Sequence, residues 1–166
     1  MRIYFTDFSW LIKEDGIKAA REAEKEAVRL ILRRAAGDLN LKKPICLKYL
    51  DSGKPYIDEA EISIAHSGNF AVAAFSDKPV GIDIQTVSEV KERVMKRCFS
   101  PEETERVNHS LCPEKIFTEI WTVKEANYKL SGNYKEANEH KFTLETESFA
   151  LTAVGEGAEK AGIFVI

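Results

Sequence analysis

Nine consecutive residues, Trp121-Thr122-Val123-Lys124-Glu125-Ala126-Asn127-Tyr128-Lys129, place an acid, two ammonium groups and two aromatics in a run that reads as helix. Side chains three and four apart are neighbours on a helix surface, so Trp121, Lys124, Glu125 and Lys129 are expected to project to nearly one side. The carboxylate could hold a metal ion and the lysines could hold phosphate. The plainer alternative is an ordinary i, i+4 surface pair of Glu125 and Lys129, worth about a few tenths of a kcal/mol. A second acid stands upstream, in Val80-Gly81-Ile82-Asp83-Ile84-Gln85. Its period of two puts Asp83 and Gln85 on one face of a strand and Val80, Ile82 and Ile84 on the other. Magnesium takes one or two carboxylates and completes its shell with water and substrate phosphates, so two acids on separate rigid elements meet its requirement.

Five segments follow one another in a recognisable order: Gly53-Lys54-Pro55-Tyr56, Ile62-Ser63-Ile64-Ala65-His66-Ser67, Gly81-Ile82-Asp83-Ile84, Phe99-Ser100-Pro101-Glu102-Glu103, and Trp121 to Lys129. In order and spacing this series resembles the 4'-phosphopantetheinyl transferases, of the type that activates peptide and polyketide synthetases. The likeness covers residues 53 to 132 and thins toward both ends. It implies an enzyme that transfers the 4'-phosphopantetheine group of coenzyme A to a serine of an apo acyl or peptidyl carrier protein, releasing adenosine 3',5'-bisphosphate. It also implies an α+β fold of two similar lobes, about 1–80 and 81–166, each a helix on an antiparallel sheet. The active site would lie in the cleft between them, and the N-terminal lobe is compact here.

Residue by residue, the resemblance implies Asp83 and Glu125 as magnesium ligands. Gln85 stands where many relatives carry a further acid, and its amide oxygen can still ligate the cation or hold a bound water. Glu125 is expected also to take the serine proton, directly or through a water. Lys129 would balance charge on the phosphates, and Lys124 would add to the same field, unless it is simply a solvated helix lysine. His66 and Ser67, in a tight Ser/Gly/Asn turn, and Lys54 are expected at the nucleotide end of coenzyme A, where an imidazole and exposed backbone N–H groups can face a phosphate. Further basic contacts could come from Arg21, Arg29, Arg33 and Arg34. The basic run Lys91 to Phe99, with Met95 and Phe99 as soft apolar contacts, suits an acidic carrier. Two other classes fit the same residues: a non-catalytic carrier-binding relative, for which the loss of an acid at Gln85 speaks, and an unrelated magnesium-dependent nucleotide-binding protein.

The elements that must position these groups are legible from patterning. A strand is expected over 2–6 and a long helix over 17–36, with Ala20, Ala23, Ala27, Ile31 and Ala35 as its inner stripe and Gly37 as a left-handed stop. A strand over 45–49 precedes the turn Asp51-Ser52-Gly53. Residues 62–65, 70–75 and 80–85 read as a three-stranded antiparallel meander, given the short links between them. Helices follow over 87–97, from Pro101 with Ser100 and Glu103 as a capping box, and from Pro113 to Ser131-Gly132, with Ile116, Ile120, Val123 and Leu130 facing inward. Strands over 141–144, 149–154 and 163–166 close the chain.

The 166 residues, 44% of them hydrophobic, can bury one sizeable core or two small lobes that share one. No apolar run is long enough to span a membrane, and the start lacks a secretory apolar centre. Three unpaired-looking cysteines, Cys46, Cys98 and Cys112, point to a reducing cytoplasm and away from a disulfide or zinc framework. A formal net charge of −3 argues against general nucleic-acid binding.

Overall fold

The computed structural model describes residues 1–13, 16–41, 44–134 and 138–166. Strand β1 (Arg2–Asp7) leads to helix α1 (Ile17–Asp38), a two-residue ribbon of β2 (Lys48–Tyr49) and β3 (Pro55–Tyr56), and the hairpin of β4 (Glu61–Ser67) and β5 (Phe70–Ser76). Then come β6 (Gly81–Thr86), α2 (Glu92–Cys98), α3 (Pro101–Asn108) and α4 (Pro113–Ser131), followed by β7 (Lys141–Glu145), β8 (Phe149–Val154) and β9 (Gly162–Val165). The expected α+β class is therefore present.

The strands form two main sheets, ordered β4-β5-β1-β9 and β6-β8-β7. They pack face to face, with a helix on each outer side. Ala23, Ala27, Ile31 and Ala35 of α1 meet Tyr4, Ile62, Ala71, Ala73 and Phe75 on one face of the first sheet. Its other face, through Ile3, Ala65, Val72 and Ala74, meets Val80, Ile82, Ile84, Leu151 and Ala153 of the second. Burying each large aliphatic side chain there stabilises the fold by about 1.5–3 kcal/mol, and that burial holds together two sheets that share no backbone ladder among the described residues. α4 lies across the outer face of the second sheet, against β6 and β8.

The three-stranded meander does not form. Both edges of β5 are occupied, by β4 on one side and by β1 on the other. β6 instead pairs with β8, in register from Gly81 with Val154 to Thr86 with Phe149. A short link cannot enforce pairing when a distant strand takes the edge first. β9 is a further departure from a purely antiparallel arrangement, because it lies parallel to β1.

Other boundaries move for local reasons. α1 runs through Gly37, and the left-handed residue is Asn40, with Leu41 N–H returning to the Ala36 carbonyl. Ala20 is exposed. The strand expected over 45–49 shrinks to Lys48–Tyr49, and α2 begins only at Glu92, because Val87 N–H is still tied to the Ser148 carbonyl beside the second sheet. The capping box at Ser100 and Glu103 forms with both of its hydrogen bonds, and Gly132 closes α4 at a φ of 76°. On α4, Ile120 is buried while Ile116, Val123 and Leu130 are half-buried; the most enclosed positions are Phe117, Thr122, Ala126 and their neighbours.

Gly81 lets this helix sit so close. A Cβ at that position would stand 2.0 Å from the Ala126 carbonyl oxygen and 2.9 Å from the Leu130 nitrogen, both backbone atoms that cannot swing away. Gly81→Ala is therefore expected to cost at least about 1–3 kcal/mol, as overpacking does. Denaturant unfolding reads this directly, and a midpoint equal to the parent's would show that α4 can withdraw from β6 without penalty.

A carboxylate–lysine site at the seam between the sheets

β4 and β6 run beside each other without pairing, so the N–H groups of β6 that face β4 need other acceptors. Hydroxyls supply them. Ser63 Oγ accepts from Ile82 N–H at 3.1 Å, and Ser67 Oγ accepts from Thr86 N–H at 3.0 Å while lying 3.1 Å from Thr86 Oγ1. Ser67, expected to bind substrate, is thus engaged in joining the sheets. The small residues Ser63, Ala65 and Ser67 on one face of β4 are the sequence pattern of this close approach.

Lys129 enters the same seam from α4. Its ammonium donates to Asp83 Oδ1 at 2.8 Å, to the Ile82 carbonyl at 3.0 Å and to the Ile64 carbonyl at 3.3 Å. Asp83 is only 4% exposed, and its Oδ2 accepts from the Gln85 amide at 2.8 Å. The expected face of β6 is therefore correct: Asp83 and Gln85 turn to α4, while Ile82 and Ile84 enter the inter-sheet core. Burial pushes the Asp83 carboxyl above the usual range, while the Lys129 ammonium and the Gln85 amide pull it back. An ammonium at 2.8 Å makes this an ion pair, and Lys129 makes it across to the sheet, with Asp83, in place of the helical pair with Glu125.

Glu125, one turn before Lys129, is half-buried and accepts a hydrogen bond from Tyr134 Oη at 3.3 Å. Its carboxyl is raised chiefly by burial and then by the charge of Asp83, with Lys129 and Tyr134 opposing. Two carboxylates thus sense each other at the end of the seam, with the Gln85 amide beside Asp83. Among the described residues no group of three His, Cys, Asp or Glu side chains is assembled for a metal. Two carboxylates nevertheless fit a hard cation that draws the rest of its shell from water and phosphate.

Lys124 does not join this cluster. Its side chain, 10% exposed, pairs with Glu103 at 2.9 Å and lies over the Phe99 ring. That ties the capping box of α3 to α4, because the position before Glu125 falls on a different side of the helix from the seam. The basic run on α2 changes in the same way: Lys96 and Arg97 are exposed, but Met95 is buried in the core and Phe99 stacks on Phe117.

Two cavities adjoin at β4, the first of them opening on the seam. One, of about 500 Å³, is bordered by Lys54, Ser63, Tyr128 and Lys129; the other, of about 560 Å³, by Glu24, Lys25, Arg29, Tyr49 and His66. They share Pro55 and Ile64. Lys54 and His66 are therefore separate stations along one groove. His66 is not a turn residue: it lies in β4, in register with Ala71, and its Nε2 stands 3.2 Å from Glu24 Oε1. The turn is Gly68-Asn69, one residue beyond Ser67. Arg29 borders the groove, whereas Arg34 is engaged with Asp38. Glu24 and Tyr134 carried no signal in the sequence, since each becomes relevant only through a fold-level contact.

Residues 79–155 match the family described as the 4'-phosphopantetheinyl transferase superfamily. The chain is 34% identical over 83 residues to the 4'-phosphopantetheinyl transferase gsp of Aneurinibacillus migulanus, which covers 48% of this chain and 35% of that one. It is 31% identical over 143 residues to the 4'-phosphopantetheinyl transferase Sfp of Bacillus subtilis, covering 75% and 61% respectively. A further match, 34% identical over 90 residues, is to 5% of the fatty acid synthase subunit alpha of Candida parapsilosis. The chain thus spans less than two thirds of the length of these relatives. Asp83, Gln85, Glu125 and Lys129 all fall inside the matched segment, and residues 79–155 place that part of the chain in the 4'-phosphopantetheinyl transferase superfamily.

Proposed function

We propose that this protein transfers the 4'-phosphopantetheine group of coenzyme A to a serine hydroxyl of an apo acyl or peptidyl carrier protein and releases adenosine 3',5'-bisphosphate. The observation that carries this reading is the ion pair of Lys129 with Asp83, one helical turn from Glu125, where Lys129 also borders a cavity adjoining the one lined by His66, Lys25 and Arg29. Asp83 and Glu125, with the Gln85 amide oxygen, would hold magnesium, which when bound neutralises charge on the bridging diphosphate oxygens. Glu125 accepts the proton of the attacking serine, whose oxygen displaces the adenosine bisphosphate at phosphorus. Lys129 favours the ionised form of Asp83 and adds positive charge to the same region, and Lys54 borders the cavity beside it. The finer fold reading, two similar lobes with the site between them, is consistent with a helix on the outer face of each sheet. Free thiols at Cys46, Cys98 and Cys112 suit a cytoplasmic protein, and no helix among the described residues is long and apolar enough to cross a membrane.

The decisive experiment is mass spectrometry of apo-carriers incubated with the protein, coenzyme A and magnesium. Gain of the phosphopantetheine mass is expected on at least one carrier. No gain on any of a broad panel, with carrier binding retained, would favour a non-catalytic relative.

His66 is assigned to the 3'-phosphate. His66→Ala is expected to raise the Michaelis constant for coenzyme A by about tenfold, the scale of one charge-assisted hydrogen bond, and to affect dephospho-coenzyme A far less. Equal losses of efficiency with both donors would remove His66 from that role.

A further inference from the structure

Trp121, Glu125 and Tyr128 form one stripe of α4, spaced four and three apart. Tyr134 returns to this stripe after the Gly132 stop. Its ring stacks on Tyr128, with centroids 4.2 Å apart and planes 10° from parallel, and on Trp121 at 5.7 Å and 18°. The Lys124 ammonium reaches its backbone carbonyl at 3.5 Å. The hydroxyl of this clamped, rigid ring is thereby delivered to Glu125 Oε1 at 3.3 Å.

From this arrangement we infer that Tyr134 is a positioning residue that fixes the Glu125 carboxylate for the cation it shares with Asp83. The inference rests on the reading of Asp83 and Glu125 as cation ligands. A glutamate on a helix surface has three rotatable side-chain bonds, and a free one must be ordered each time it ligates. The bond from Tyr134 occupies one oxygen and leaves the other to the cation, so the ordering cost is met in the folded protein before binding. Outer partners of this kind ordinarily change metal affinity by 10–100-fold when removed. The aromatic stack adds the rigidity that a lone hydroxyl would lack, and its Tyr128 member borders the same cavity as Lys129 and Lys54.

The test is a Mn²⁺ titration of the full chain with coenzyme A present, counting free Mn²⁺ by electron paramagnetic resonance, for the parent, Tyr134→Phe and Tyr134→Leu. Tyr134→Phe keeps the stack and removes only the hydroxyl. It is expected to weaken Mn²⁺ by roughly tenfold or more with an unchanged melting temperature. Tyr134→Leu is expected to show the same weakening and also a lower melting temperature. Parent-like Mn²⁺ binding by Tyr134→Phe overturns the inference, as does a Tyr134→Phe protein that loses stability as far as Tyr134→Leu does. A parent that binds no Mn²⁺ overturns the cation reading of Asp83 and Glu125 itself, and the role of Tyr134 falls with it.

Discussion

Glu125→Gln is expected to lose transfer by about 10²–10⁴-fold while folding as the parent does. Glutamine keeps the volume of the side chain and can still accept from Tyr134 Oη, so the packing around the stack of Trp121, Tyr134 and Tyr128 is preserved. It cannot take a proton from the attacking serine, and its amide is a poor substitute for a carboxylate toward a hard cation. Because Glu125 is only half-buried and makes no ion pair among the described residues, little stability depends on its charge. Asp83→Asn is expected to lose activity on the same scale, but with a stability cost, since it leaves the Lys129 ammonium without its counter-charge. The two variants thus separate chemistry from architecture. Steady-state kinetics on one carrier, beside a thermal melt of each protein, make the comparison. Near-parent turnover by Glu125→Gln would remove Glu125 from the chemical step.

How much of this could be read in advance depended on the range of the interaction. Local signals held: the capping box at Ser100, the Gly132 stop and the alternation that turns Asp83 away from Ile82 and Ile84. Each depends on residues within a few positions of one another. The meander failed because β1, some seventy residues from β5, takes the edge that a short link alone would have assigned to β6. Lys124 is placed by a related long-range contact: helical spacing puts it near Glu125, but the fold offers it Glu103, and a buried ammonium goes where its counter-charge is. His66 was read as a turn residue because Ser67-Gly68-Asn69 is turn-rich, yet the hairpin needs only Gly68-Asn69. The seam itself left no sequence mark beyond small residues on one face of β4. Its consequence, that Lys129 serves both sheets, emerges only when Ile64 and Ile82 are found side by side.

That double service makes Lys129→Met the variant with the largest expected effect on stability. The Lys129 ammonium satisfies two backbone carbonyls, from β4 and β6, and neutralises a carboxylate that is 4% exposed. Methionine fills most of the volume and none of the polarity. Leaving one member of a buried pair uncompensated typically costs about 3–5 kcal/mol, and the lysine's own partial exposure places the expected loss toward the low end of that range. A cycle with Asp83→Asn tests the cause: the double variant should be more stable than Lys129→Met alone, since the stranded charge is gone. The pH dependence has a definite sign. The folded-state carboxyl of Asp83 is already raised by burial, and loss of Lys129 removes the main influence pulling it down. The folded state then holds a proton that the unfolded state releases, so in metal-free buffer the Lys129→Met protein should gain stability relative to the parent as pH falls. The relative gain accrues from the variant's folded value of Asp83 down to the parent's own less raised one, below which both proteins change alike. A deficit independent of pH, together with a double variant no more stable than Lys129→Met, would mean that the carbonyl bonds across the seam, and not the neutralisation of Asp83, are what Lys129 contributes to the fold.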